Sequence, residues 1–271
     1  MEYQWMLFDL DGTLLRTDKT ISARTLEALE QSRQQGWKIG VITSRAQQNC
    51  EDFLSALRPD ALISSAGALI RLGGSYIYKG EFSGEETWQV IQKAREIAGD
   101  LEITVDTLEE HFWNYHTDPL TWDATWGSTT YDNFASWDQP SLKICLELFD
   151  EDQARRVAES FPDADMIKFS ESSWYKLTKK EATKESAIDR LCAAAEISRE
   201  QIIAFGDDLP DINMLKSCGC GVAMGNAIPE VKAAADLVIG TNDEDGIAVF
   251  IEKQLDKKSR QDQTKKVNML N

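Results

Sequence analysis

The sequence predicts an α/β fold: a doubly wound parallel sheet interrupted by an inserted α+β domain. Three observations predict it. Short apolar runs alternate with helical periods over the first 80 residues, the alternation returns after residue 182, and strand-like runs gather between them with their helices segregated. WMLFDL, beginning at Trp5, reads as a buried strand, and residues 21–35 place Ile21, Leu26 and Leu29 on a helical period. WKIGVIT reads as a second strand, residues 46–57 as a second helix and DALISS as a third strand, which implies parallel pairing with right-handed crossovers. Residues 84–99 then read as helix, ITVDT and HFWNY as a strand pair, LKICLEL as a strand and 151–161 as helix. DMIKFS with SWYKL reads as a closing hairpin. In the last third, residues 183–196 read as helix, QIIAFGDD as strand and turn, PDINMLKSC as helix and GCGVAMG as strand. Pro229 opens a helix through Ala235, ADLVIG follows as strand, and a final helix runs to about Leu255. The expected division is a core over 1–80 and 181–271 with a smaller domain at 81–180.

Composition narrows the function. Asp and Glu number 46 against 29 Lys and Arg, a formal charge of −17 over 271 residues, and a field of that sign argues against nucleic acid and anionic membrane surfaces as partners. No apolar run approaches the ~20 residues of a spanning helix. MEYQWMLFDL lacks a basic leader segment, and five scattered cysteines read as reduced thiols, so a cytoplasmic location is expected. The two histidines, His111 and His116, do not form H-E-x-x-H, so a histidine-rich zinc site or a serine–histidine hydrolase lacks material. Carboxylates, hydroxyls and lysines must carry any chemistry.

The strongest chemical pattern is Asp9-Leu10-Asp11-Gly12-Thr13-Leu14 at the expected end of the first strand, where open α/β sheets bind ligands. An aspartate attacking phosphorus must be exposed there, with a second acid two residues on to move the leaving-group proton. Gly12 lets the backbone turn sharply. Gly206-Asp207-Asp208-Leu209-Pro210-Asp211 ends another strand, and carboxylates gathered opposite Asp9 repel one another unless a cation lies between them. Hard oxygen ligands with a phosphate substrate point to Mg2+.

D-x-D-G-T resembles the first motif of the haloacid dehalogenase-like superfamily, and residues 201–249 closely resemble its Cof-type subfamily of capped phosphatases. The resemblance implies a Rossmann-like core with the insert as cap, Asp9 as nucleophile forming an aspartyl-phosphate, and Asp11 as acid and base. It implies that Thr43, Ser44 and Lys184 bind phosphoryl oxygens. It also implies that the carboxylates of Asp9 and Asp207 and the backbone carbonyl of Asp11 hold Mg2+, with Gly12, Asp208, Asp211 and Asn226 in support. Such an enzyme hydrolyses small phosphorylated metabolites such as sugar phosphates, nucleotides or phosphorylated cofactors, as a monomer or weak homodimer.

Three residues depart from the pattern. Pro210 stands where the family usually has Asn, Ala66 replaces the Asn of N-G-A, and Glu185 occupies the usual glycine after the lysine. A phosphosugar mutase would need a cap arginine cluster, yet Arg95, Arg155 and Arg156 fall on expected helix surfaces; a catalytically weak binding protein is the alternative from another class. Gly219-Cys220-Gly221 lacks the third glycine of a dinucleotide loop, and Cys218 and Cys220 read as small buried hydrophobes. Trp113, Tyr115, Trp122, Trp126, Tyr131, Phe134 and Trp137 concentrate in the insert, most of them as its core.

Overall fold

The computed structural model describes residues 3–115, 128–169 and 172–256. His116, Trp122, Trp126 and the polar segment from residue 257 onward lie outside the described residues. The chain begins with β1 (Trp5–Phe8), α1 (Ala23–Gln34), β2 (Lys38–Ile42), α2 (Glu51–Leu57), β3 (Ala61–Ser64), β4 (Leu69–Leu72) and β5 (Ser75–Lys79). It continues through α3 (Gly84–Ala98), β6 (Ile103–Asp106), β7 (His111–Trp113), β8 (Thr130–Tyr131), β9 (Lys143–Glu147), α4 (Glu151–Ser160), β10 (Ala164–Lys168) and β11 (Trp174–Lys179). It closes with α5 (Lys184–Ala195), β12 (Ile202–Gly206), α6 (Ile212–Ser217), β13 (Cys220–Ala223), α7 (Pro229–Ala234) and β14 (Leu237–Val238), then a helix over 246–256.

Two compact units emerge, Met1–Gly40 with Glu200–Asn271, and Val41–Arg199. In the first, β14, β13, β12 and β1 pair in parallel, with Trp5 to Phe8 in register with Ile202 to Phe205. Every residue of β1 and β12 is buried, as an apolar run in a parallel sheet requires. Phe8 and Phe205 stack with ring centroids 4.5 Å apart, which fixes the two strands at the height where Asp9 and Asp207 leave them. Helix α1 starts at Ser22, whose hydroxyl accepts the Thr25 N–H, and buries Ala28 and Leu29.

In the second unit β3, β4 and β5 pair antiparallel. The expected strands of the first 80 residues end with DALISS, so β4 and β5 go beyond them. The linker between β3 and β4 is too short for a parallel crossover, and Gly73-Gly74 turns β4 into β5. A six-stranded sheet runs β10-β11-β9-β6-β7-β8, antiparallel except for the short β7–β8 pair. Helix α3 is started by a capping box between Ser83 and Glu86 and buries Val90, Ile91 and Ala94 in the core formed with Ile103, Val105, Ile144, Leu146 and Leu177. Phe134 and Trp137 belong to this core, whereas Tyr131 is exposed and Trp113 and Tyr115 are half-buried, their rings 5.4 Å apart. Burial of a Phe134-sized side chain contributes roughly 1.5–3 kcal/mol.

Candidate active site

Asp9 follows β1 directly, and its N–H donates to the carbonyl of Phe205, so the strand ladder itself sets its position. Asp207 follows β12 directly. Asp9, Asp207 and Asp211 each offer a carboxylate oxygen, and these oxygens lie within 4.8 Å of one another; Asp211 is buried, and so is Asp9, against the exposure expected of an attacking aspartate. At an effective dielectric near 20, two negative charges so close repel by about 3–4 kcal/mol. Such a set of hard oxygen donors fits a divalent cation of the magnesium type.

The neighbours of the trio hold it in shape. Thr13 Oγ1 donates to Asp207 Oδ1 at 2.6 Å. Asp211 Oδ2 accepts the backbone N–H groups of Asp207 and Asp208 at 3.0 and 3.2 Å, so Asp211 braces the turn that carries Asp207. Asp208 caps the same turn, its Oδ1 accepting the Leu209 N–H at 2.8 Å. Gly12 has φ +75°, and a Cβ there would meet Asp207 Oδ2 at 2.1 Å; the position admits glycine on both counts. Asn226 donates to the Gly12 carbonyl at 2.7 Å and accepts the Asn242 N–H at 3.0 Å. The side chain of Asp11 is not one of the trio. Its Oδ1 meets Lys19 Nζ at 2.8 Å.

The second unit assembles the hydroxyl and lysine candidates among themselves. Thr43 is buried at the end of β2, its N–H donating to Ile63 O and its Oγ1 accepting the Arg45 N–H at 3.1 Å. Its carbonyl accepts the Ala66 N–H at 3.1 Å. A Cβ on Gly67, at φ +106°, would meet the Thr183 carbonyl at 2.3 Å, so the Ser65–Gly67 turn lies against the start of α5. There Lys184 is the first helical residue and is buried, with Thr183 capping the helix. The Ser44 carbonyl accepts from Lys143 Nζ.

The three departures have structural settings. Pro210 sits at the start of a short turn, Leu209–Asp211, where a backbone N–H has no intrahelical partner. Ala66 takes φ 62°, a conformation that Asn tolerates better than Ala. Glu185 meets Arg199 at 3.5 Å on the first turn of α5. Sequence reasoning gave no role to the Thr13 hydroxyl or to Lys19, Ser65, Asp106 and Lys143. Thr13 was discoverable inside its motif, but nothing in residue spacing marks the others. Arg95 donates to the carbonyls of Phe134 and Asn133, and Arg155 pairs with Asp152 and Glu159 along α4.

A haloacid dehalogenase-like hydrolase family model matches residues 6–251. The chain belongs to this family of hydrolases. It is 27% identical over 263 residues to the Bacillus subtilis 5-amino-6-(5-phospho-D-ribitylamino)uracil phosphatase YitU, covering 90% of this chain and 95% of that one. It is 28% identical over 275 residues to the Escherichia coli pyridoxal phosphate phosphatase YbhA, covering 91% and 97%. A haloacid dehalogenase-like hydrolase structure from Bacteroides thetaiotaomicron superposes with a TM-score of 0.80 at 27% identity, over 93% of this chain and 99% of that one. A subclass IIB sugar phosphatase gives 0.78 at 26% identity, over 92% and 98%. The α/β fold of this hydrolase is therefore the fold of its family.

Proposed function

We propose that this haloacid dehalogenase-like hydrolase is a Mg2+-dependent phosphatase working through an aspartyl-phosphate. It is a phosphoric monoester hydrolase of small phosphorylated substrates, the activity that the names of YitU, YbhA and the subclass IIB sugar phosphatase share. The observation that carries the reading is the trio Asp9, Asp207 and Asp211, gathered within 4.8 Å, with Asp11 two residues from Asp9 and outside the trio.

A carboxylate oxygen of Asp9 forms the new bond to phosphorus as the ester P–O bond breaks. Asp11 delivers its proton to the departing alkoxide, then takes a proton from the water that attacks the acyl phosphate and returns Asp9. Asp9, Asp207 and the backbone carbonyl of Asp11 would hold Mg2+, which when bound neutralises phosphoryl charge. Thr43, Ser44 and Lys184 take the roles the family assigns them, two hydroxyls and an ammonium on the transferring oxygens. Asp211, Asp208, Gly12 and Asn226 hold the loops. The segment 81–180 is the cap that selects the substrate, on a core of 1–80 and 181–271. The five cysteines form no disulfide among the described residues, which suits a reducing cytoplasm. Arg95 and Arg155 are engaged with carbonyls and helix carboxylates, which favours hydrolysis over return of the phosphoryl group to a doubly phosphorylated sugar.

Phosphate release from an aryl phosphate, with Mg2+ and after exhaustive chelation, tests this. Release that needs Mg2+ supports the reading. Undiminished release after chelation overturns the metal assignment, and no release from the aryl phosphate or from a panel of phosphorylated metabolites leaves the weak binding protein instead.

A further inference from the structure

The second unit buries an ion pair that the proposed reaction does not use. Asp106, at the end of β6, is fully buried, and Lys143, at the start of β9, is nearly so. Their side chains meet at 2.9 Å, and His111 Nδ1 of β7 lies 2.7 Å from the other carboxylate oxygen. Burying two charges costs several kcal/mol each, which mutual attraction only partly offsets. An apolar pair would hold the sheet at least as well. The pair is therefore a poor device for stability alone, and its remaining contacts show what else it does.

Both remaining contacts reach the loops that follow β2 and β3. Lys143 Nζ donates to the carbonyl of Ser44 at 2.5 Å, and Ser65 Oγ donates to Asp106 Oδ2 at 2.9 Å. The Ser65 loop is strained, with φ 46° at Ser65 and φ 62° at Ala66, neither of them glycine. The left-handed region is disfavoured for any residue with a Cβ, so the turn keeps its shape only where its surroundings impose it. Three hydrogen bonds impose it: Ser65 N–H to Arg45 O, Ala66 N–H to Thr43 O, and the Ser65 hydroxyl to Asp106.

We propose that Asp106 and Lys143 are positioning residues for phosphoryl binding, fixing the Thr43–Ser44 turn through the Ser44 carbonyl and the Ser65–Gly67 turn through the Ser65 hydroxyl. The proposal rests on the phosphatase reading, in which Thr43, Ser44 and Lys184 bind the phosphoryl oxygens. Lys184 is included because Gly67 lies against the start of α5. Holding all three groups from one rigid pair keeps them in register without any of the pair touching substrate.

Charge and position can be separated by removing the pair whole. Asp106→Leu alone leaves the buried Lys143 ammonium without a carboxylate, and Lys143→Met alone leaves Asp106 with His111 as its one charged neighbour, so each lowers the melting temperature. The double variant Asp106→Leu/Lys143→Met removes both charges and recovers most of that loss. It is expected to keep a KM for the aryl phosphate raised roughly tenfold or more, with the inhibition constant of inorganic phosphate raised in parallel. A double variant that melts like the wild type and binds both with wild-type constants overturns the proposal. If the double variant does not fold, Ser65→Ala decides, since it removes one hydroxyl. A raised KM and inhibition constant at an unchanged melting temperature support positioning, and unchanged constants overturn it. Inactivity of the wild-type protein itself would refute the phosphatase reading instead, so the two failures are distinguishable.

Discussion

Thr13 Oγ1 donates to Oδ1 of Asp207 at 2.6 Å, joining the acidic turns that follow β1 and β12 across 194 positions of the chain. The bond leaves Asp207 Oδ2 as the oxygen facing Gly12, where any Cβ would collide with it. Hydrogen bonds to charged groups contribute about 1.5–3 kcal/mol. Thr13→Val keeps the shape of this buried side chain and removes the donor. The Mg2+ concentration for half-maximal phosphate release should rise about ten- to a hundredfold, with kcat at saturating Mg2+ changed far less. A magnesium titration of both proteins checks it.

Pro210 gives a second expectation. It begins a turn already closed by the side chains of Asp208 and Asp211, so proline is not needed to start it. Pro210→Asn restores the side-chain donor of the family pattern and should raise kcat/KM by up to about tenfold with a small loss in melting temperature. Unchanged kinetics with a lower melting temperature would make Pro210 structural only.

The buried pair also predicts behaviour in acid. Burial pushes the Asp106 carboxyl up, but Lys143 and His111 outweigh it and bring its pKa from 3.8 down to about 2. A carboxyl depressed in the folded state stabilises above its unfolded pKa, and that stability is lost as pH falls through the folded value. Between about pH 4 and pH 2 the wild type should lose roughly 2 kcal/mol more than Asp106→Leu/Lys143→Met. Denaturant unfolding at stepped pH measures this, and parallel curves would contradict it.

Much of this was legible in the sequence, for physical reasons. Buried-strand runs such as WMLF and IIAFG are short apolar runs bounded by Asp- and Gly-rich turns, which marks them as strands and puts the acids that follow them at strand ends. The β4–β5 hairpin announced itself in Gly73-Gly74, but the reading of steady alternation passed over it. The Asp106–Lys143–Ser44 connection was not legible. It joins residues from three separate stretches through contacts that no period or motif encodes. Lys19 was hidden likewise, since its approach to Asp11 depends on a turn with φ 62° at Lys19 itself.

The central claim is that Asp9 is the covalent nucleophile. The most direct measurement is steady-state phosphate release by Asp9→Asn beside the wild type at saturating Mg2+, with the fold of each verified by circular dichroism. An amide cannot form the acyl phosphate, so the account predicts a folded protein with no turnover above background. Wild-type turnover by a folded Asp9→Asn protein would contradict it.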